Sequence, residues 1–244
     1  MEWYPKRRFG DLADDMAGQL PDAEALVFGD LRLTFSELTV RIDDAGKRMI
    51  AAGVAPGEHV ALWLNNQPEW IYIAFAAQKI GAVLVPLNTR FRTRDIAYVL
   101  GQSDSAFLIT HDVSGPVGYL DMVREAVDLP NDGTVVSDER FPMLRRVIIL
   151  GKGAHPGTVD WDCLATPAMG VPDEQLIARA AAVDPDDPAF IMYTSGTTGF
   201  PKGAVHNHKL IRGVAERGFR MAITPNDVIL NYLPLFHAFG YSEG

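Results

Sequence analysis

Tyr193-Thr194-Ser195-Gly196-Thr197-Thr198-Gly199-Phe200-Pro201-Lys202-Gly203 is the stretch on which the rest of the chain depends. The residues leading into it, Ala189 to Tyr193, are all apolar or aromatic and predict a buried strand. Four hydroxyls, three glycines and one lysine then follow within ten residues. Glycine lets backbone N–H groups turn toward an anion with no Cβ in the way, and successive N–H groups so turned form a nest. The hydroxyls add donors, and Lys202 adds a positive point charge. Together they suit a polyphosphate.

Spacing sets aside three other uses of glycine-rich turns. A Walker loop needs Gly-Lys-Ser/Thr where this chain, counted from Gly196, has Pro201-Lys202-Gly203. The nucleophile elbow needs glycine two residues before Ser195, and Tyr193 stands there. The dinucleotide fingerprint needs a G-x-G that the stretch lacks. A bare S-G-T-T-G could be a flexible turn; the strand ahead and the Pro-Lys-Gly behind favour a phosphate loop.

Downstream, Pro234-Leu235-Phe236-His237-Ala238-Phe239-Gly240 follows a predicted strand over Val228–Tyr232. A histidine among large apolar residues is most often a core residue. Here the expectation is a loop at a strand's carboxyl end, where open α/β sheets bind ligands. Upstream, Asn65-Asn66-Gln67-Pro68-Glu69-Trp70 and Pro86-Leu87-Asn88-Thr89-Arg90-Phe91 form a third, weaker signature. These are expected to be scaffold, with Arg90 more a structural or solvated arginine than a phosphate ligand.

The three stretches together closely resemble the adenylate-forming superfamily: acyl-CoA synthetases, luciferases and peptide-synthetase adenylation domains. The resemblance runs over essentially the whole chain; Phe200 stands at a position that varies in the family, and Asn207, where Ser or Thr is frequent before the following His, is a mild departure. It implies the N-terminal part of the large domain of such an enzyme, an α/β fold of mostly parallel sheets flanked by helices. It implies an acid-thiol ligase that uses ATP to convert a carboxylic acid to an acyl-adenylate and then passes the acyl group to coenzyme A. On it, Thr194, Ser195, Gly196, Thr197, Thr198, Gly199 and Lys202 bind the nucleotide, and Lys202 also serves catalysis. Thr194 faces a magnesium ion. His237 orients the acid's carboxylate, with Phe236, Phe239 and Gly240 in the acyl pocket wall. Fatty, alicyclic and aromatic acids all stay open, as does transfer to another acceptor.

The resemblance further implies segments beyond Gly244: a Tyr-Gly-x-Thr-Glu run whose glutamate helps hold magnesium, a ribose-binding aspartate, a hinge, and a small C-terminal domain with a catalytic lysine. The expectation is therefore a fragment, inactive by itself, or a truncated relative that only binds nucleotide or acyl groups. A kinase is disfavoured, because neither a Walker-type Lys-Ser/Thr nor a catalytic Asp loop is present.

Composition agrees with an ordinary globular chain. At 244 residues it can bury roughly 70–75% of its unfolded surface. The net charge of −9, with no basic run after Lys6-Arg7-Arg8, argues against nucleic-acid binding. ATP and coenzyme A are anions, so local groups must hold them. Cys163 is alone, which fits a reducing cytoplasm, and the longest apolar run, Trp70–Ala77, is far too short to span a membrane. A homodimer stays open.

Strand and helix signals alternate before the phosphate loop. They predict a short helix over Phe9–Met16 and a hairpin around Gly29-Asp30. A capping box from Thr34 to Glu37 should open a helix carrying the stripe Leu38, Ile42, Ala45 and Met49. Strands follow over His59–Leu64, Ala82–Val85, Ala106–Thr110 and Arg146–Leu150, with helices over Pro68–Ile80, Ile96–Leu100, Tyr119–Val127 and Glu174–Val183. Gly151-Lys152-Gly153 is expected to be a surface turn. The acidic joint Asp184-Pro185-Asp186-Asp187-Pro188 separates a first subdomain, 1–183, from the start of a second, 184–244. His206 and His208 are expected at a strand end and a helix cap rather than on a metal, and Asn207–Ala222 as a helix.

Overall fold

The computed structural model describes residues 5–151, 153–194 and 200–243, with the backbone alone for 242 and 243. A short 3-10 turn at Phe9–Asp11 leads into α1 (Leu12–Gln19) and the hairpin β1 (Glu24–Phe28) and β2 (Leu31–Thr34). Then come α2 (Phe35–Ala51), β3 (His59–Trp63), α3 (Pro68–Lys79), β4 (Val83–Pro86), α4 (Thr93–Gln102) and β5 (Ser105–His111). The small ladder β6 (Val113–Ser114) with β7 (Val117–Gly118) precedes α5 (Tyr119–Ala126), β8 (Arg146–Leu150) and β9 (Val159–Asp160). Last are α6 (Ala165–Ala168), α7 (Asp173–Ala182), β10 (Pro188–Thr194), β11 (Lys202–Asn207), α8 (Leu210–Arg220) and α9 (Ala238–Glu243).

Seven strands form the main sheet in the order β11-β10-β4-β3-β5-β8-β9, parallel throughout except for the antiparallel pair β10/β11. Side chains along a strand alternate between faces, and both faces here are apolar. Val60, Leu62, Leu84, Phe107, Ile109, Phe190 and Met192 join one core with Ile42, Met49 and Ile73 of α2 and α3. Ala61, Trp63, Val83, Val85, Leu108 and Ile191 join the other with Ile96, Val99 and Val123 of α4 and α5.

Local chemistry fixes the helix starts. Glu37 N–H donates to Thr34 Oγ1 at 3.2 Å while Thr34 N–H donates to the Glu37 carboxylate at 2.9 Å, the reciprocal cap expected from T-F-S-E. Pro68 occupies the first turn of α3, where its missing N–H costs nothing. Lys79, at the end of α3, is buried with its ammonium 2.7 Å from Asp14 and 2.5 Å from Asp43, tying α1, α2 and α3 together. Burial works against that charge, but the two carboxylates outweigh it and raise the pKa above the usual lysine range.

Three expectations need correction. Val228–Tyr232 forms no strand: it pairs with nothing among the described residues, and Val228, Leu230 and Tyr232 are 80% or more exposed. An apolar β-branched run carries strand propensity, but a strand exists only where a neighbour completes its hydrogen bonds. The helix expected over Asn207–Ala222 is shorter, because β11 runs through Asn207 and α8 starts at Leu210. Ala238 to Gly240, taken as loop, open α9. The acidic stretch 184–187 is a turn that leads into β10, and β10 pairs with β4 at Phe190 and Leu84.

Candidate functional site

The phosphate-loop stretch lies on a hairpin. β10 ends at Thr194 and β11 begins at Lys202, and these two residues face each other in register. Thr194 Oγ1 donates to the Lys202 carbonyl at 3.4 Å, and both side chains are exposed. Ser195, Gly196, Thr197, Thr198 and Gly199 fall outside the described residues, so the structure fixes the two arms of the loop and not its tip. Because β10 runs parallel to β4 and β3, Thr194 reaches the carboxyl edge of the sheet. That edge is where open α/β sheets present their ligand sites.

Close packing holds the arms. A Cβ on Gly203 would come within 2.9 Å of Ile191 and 3.1 Å of the Tyr193 ring, so glycine lets β11 lie tight against β10. The Tyr193 hydroxyl donates to Gln102 Oε1. Burial raises its pKa to about 12, so it stays protonated. Phe200, just past the loop, packs on Tyr98 with ring centroids 4.8 Å apart, and the Arg94 guanidinium lies 5.5 Å from its ring. Arg94, Tyr98 and Gln102 recur every four residues on one face of α4, a shelf under the hairpin that the sequence reading missed. Its signal, a polar-aromatic stripe, is common on any surface helix.

His237 stands in a turn that leads into α9. Its N–H donates to Pro234 O at 3.0 Å, and its Nδ1 accepts the Phe239 N–H at 3.3 Å. An acceptor at Nδ1 puts the neutral ring's proton on Nε2, which leaves Nε2–H free to donate. The side chain is exposed, as is Phe239, whereas Phe236 is half-buried. Gly240 is buried where a Cβ would lie 2.2 Å from Pro234 O, so no larger residue fits. The expected preceding strand does not form. The turn is fixed instead at the carboxyl end of β3, where the Asn66 side chain bonds Leu233 O and Leu235 N–H.

Phe236 and Pro234 line a concavity of about 240 Å³ with Asn65, Asn66, Thr89 and Tyr232. Asn65 and Asn66 follow β3 and Thr89 follows β4, so this hollow lies on the same sheet edge as Thr194. Behind it, Tyr241 of α9 packs edge-on against Phe190 of β10 at 5.3 Å and gives its hydroxyl to Gln78 at 2.7 Å. Burial pushes that phenol's pKa up. The Phe190–Tyr241 contact links the loop hairpin to the His237 turn through the core. No direct contact between Lys202 and His237 is seen among the described residues.

The other expected site residues separate as follows. Arg90 is exposed, and its backbone N–H is bonded to Asn88. His206 lies in β11 with its ring stacked on Phe190 at 5.0 Å, and His208 is buried ahead of α8. Among the described residues no group of three or more His, Cys, Asp or Glu side chains gathers as a metal site. Magnesium takes a full shell of hard oxygens. Thr194 offers one neutral hydroxyl, so these residues alone do not make a magnesium site. No helix among the described residues is long and apolar enough to cross a membrane.

Comparison with known proteins places these features in a wider group. Residues 13–243 match the family model described as "AMP-binding enzyme". YngI of Bacillus subtilis strain 168, provisionally named an acyl-CoA synthetase, is 35% identical over 236 residues, which are 95% of this chain and 43% of YngI. The long-chain-fatty-acid–CoA ligase FadD13 of Mycobacterium tuberculosis H37Rv is 32% identical over 218 residues, 85% of this chain and 36% of the ligase. The inhibitor-bound N-terminal domain of FACL13 from Mycobacterium tuberculosis superposes with a TM-score of 0.71 at 28% identity, over 97% of this chain and 53% of that one. The chain thus spans less than half the length of these curated relatives.

Proposed function

Since the chain belongs to the AMP-binding enzyme family, we propose that it is the N-terminal part of an acyl-CoA synthetase that consumes ATP and coenzyme A, with residues 184–244 opening a second subdomain. The observation that carries this reading is the hairpin that presents Thr194 and Lys202 face to face at the carboxyl edge of the sheet. The reaction has two steps. A carboxylate oxygen attacks the α-phosphorus of ATP, the bond to the bridging oxygen breaks, and pyrophosphate leaves. The coenzyme A sulfur then attacks the acyl carbon, and AMP leaves with the electron pair of the broken C–O bond.

The chain's own groups suit the first step. Lys202 brings positive charge to phosphates that gain negative charge as the bond breaks, and Thr194, Ser195, Thr197 and Thr198, close to it in sequence, carry hydroxyl donors. His237 Nε2–H is a donor for a carboxylate oxygen, and orienting that oxygen is most of what adenylation asks of the acid site. Phe236 and Phe239 favour an acid with an apolar body, whether fatty, alicyclic or aromatic.

The test is product analysis. Full-length protein supplied with ATP, coenzyme A and a panel of such acids is expected to give acyl-CoA and AMP in equal amounts, identified by mass spectrometry. Acid-independent cleavage to ADP and phosphate, or no product with any acid, would contradict the proposal.

A further inference from the structure

We propose that Asn66 is a positioning residue for the acid site: its carboxamide joins the carboxyl end of β3 to the turn that carries Phe236 and His237. The proposal rests on the acyl-adenylating reading above and gives a task to a residue expected only as scaffold. Asn66 Nδ2 donates to Leu233 O at 2.7 Å, and Leu235 N–H donates to Asn66 Oδ1 at 2.9 Å. One short planar group thus grips the backbone on both sides of Pro234, which has no N–H of its own to anchor. Asn231 closes the turn from the other side. Its Oδ1 accepts the Leu233 N–H at 3.1 Å, and its Nδ2 donates to Gly240 O at 3.2 Å.

These side-chain bonds replace what a strand would have supplied. Residues 228–237 take part in no ladder among the described residues, so the turn has no sheet of its own to fix its height or angle. β3, by contrast, lies between β4 and β5, and Val60 to Trp63 are fully buried. Asn66 transfers the rigidity of that strand to the turn. It also lines the hollow that Phe236 and Thr89 share, so the clamp and the pocket wall are one group. A carboxylate there keeps the acceptor for Leu235 N–H but sets a negative charge against Leu233 O. Alanine removes both bonds.

The test compares full-length wild type with Asn66→Ala and Asn66→Asp. Acid-dependent pyrophosphate release is measured while acid and ATP are varied separately, beside a thermal melt and hydrogen exchange over 231–241. Two lost hydrogen bonds predict a loss in kcat/KM for the acid of about 10-fold or more in Asn66→Ala. The KM for ATP is expected to stay within about twofold. Exchange should quicken at Leu235 and His237 and stay unchanged in β3 and β10. A lower melting temperature with normal acid kinetics would overturn the proposal, and so would equal losses for acid and ATP. If wild type itself releases no pyrophosphate with any acid, the acyl-adenylating reading fails instead. The exchange arm still decides the clamp, because unchanged protection at Leu235 in Asn66→Ala overturns it.

Discussion

His208 and His237 show how position decides what an imidazole does. His208 is 1% exposed, accepts the Phe9 backbone N–H at Nδ1 over 3.0 Å, and lies 5.8 Å from the Phe9 ring. Burial lowers its pKa from 6.5 to about 4. The folded chain therefore keeps it neutral while the unfolded chain protonates it near pH 6.5, so the unfolded state binds the extra proton between those values. Stability contributed by His208 is fully present above pH 6.5 and is lost as pH falls toward about 4, in total on the order of 3 kcal/mol. Urea unfolding at pH 7 and pH 4.5 should show that loss, and His208→Asn, which keeps an acceptor but cannot titrate, should flatten it. An equal pH dependence in the variant would remove His208 from the account.

His237 accepts the Phe239 N–H at Nδ1, and no partner of its Nε2 is seen among the described residues. Asparagine can accept the same N–H yet has nothing at the Nε2 position, so His237→Asn separates the structural bond from the chemical one. The variant should melt within a degree or two of wild type. Its kcat/KM for the acid should fall roughly 10- to 150-fold, as for a lost hydrogen bond to a charged group, with ATP binding little changed. A lowered melting point with normal acid kinetics would return His237 to a purely structural role.

Among the elements, legibility followed how much of the signal was local. The cap of α2 needs only Thr34 and Glu37, and the stripe Leu38, Ile42, Ala45 and Met49 is buried as its spacing predicts. β8 occupies Arg146–Leu150 with the expected bounds, since a continuous apolar run in a parallel sheet has both faces covered. β11 was hidden because Lys202-Gly203-Ala204-Val205-His206-Asn207 is an exposed edge strand, held by its ladder to β10 and not by burial. Val228–Tyr232 failed the opposite way, having the composition of a strand without a neighbour. α9 is six residues long and contains a glycine, so no propensity argument finds it; His237 and Gly240 were legible as a motif while their geometry was not. Asn66 drew notice only as part of a signature. Its two bonds reach residues 167 and 169 positions away, and nothing in the local sequence announces them.

At the scale of the molecule, one edge of the sheet gathers several of the candidate site residues. Asn65 and Asn66 follow β3, Thr89 follows β4, and Thr194 ends β10, so parallel pairing gathers residues from distant parts of the chain. Among the described residues the sheet ends at β11, whose Val205 is exposed, and in the segment that follows Phe219, Val228, Leu230 and Tyr232 are exposed too. The AMP-binding family model covers 13–243, and on the function proposed above the hairpin between β10 and β11 acts on the phosphates of ATP. Lys202→Ala tests it most directly, because the side chain is exposed and its loss leaves the hairpin's backbone ladder in place. Removing one charge aimed at the leaving phosphates should cost about 2–4 kcal/mol in the transition state, by comparison with the loss of one oxyanion donor. Acid-dependent exchange of labelled pyrophosphate into ATP by the full-length protein should then slow roughly 30- to 1,000-fold at an unchanged melting temperature. Exchange at the wild-type rate in a folded Lys202→Ala protein would contradict the account.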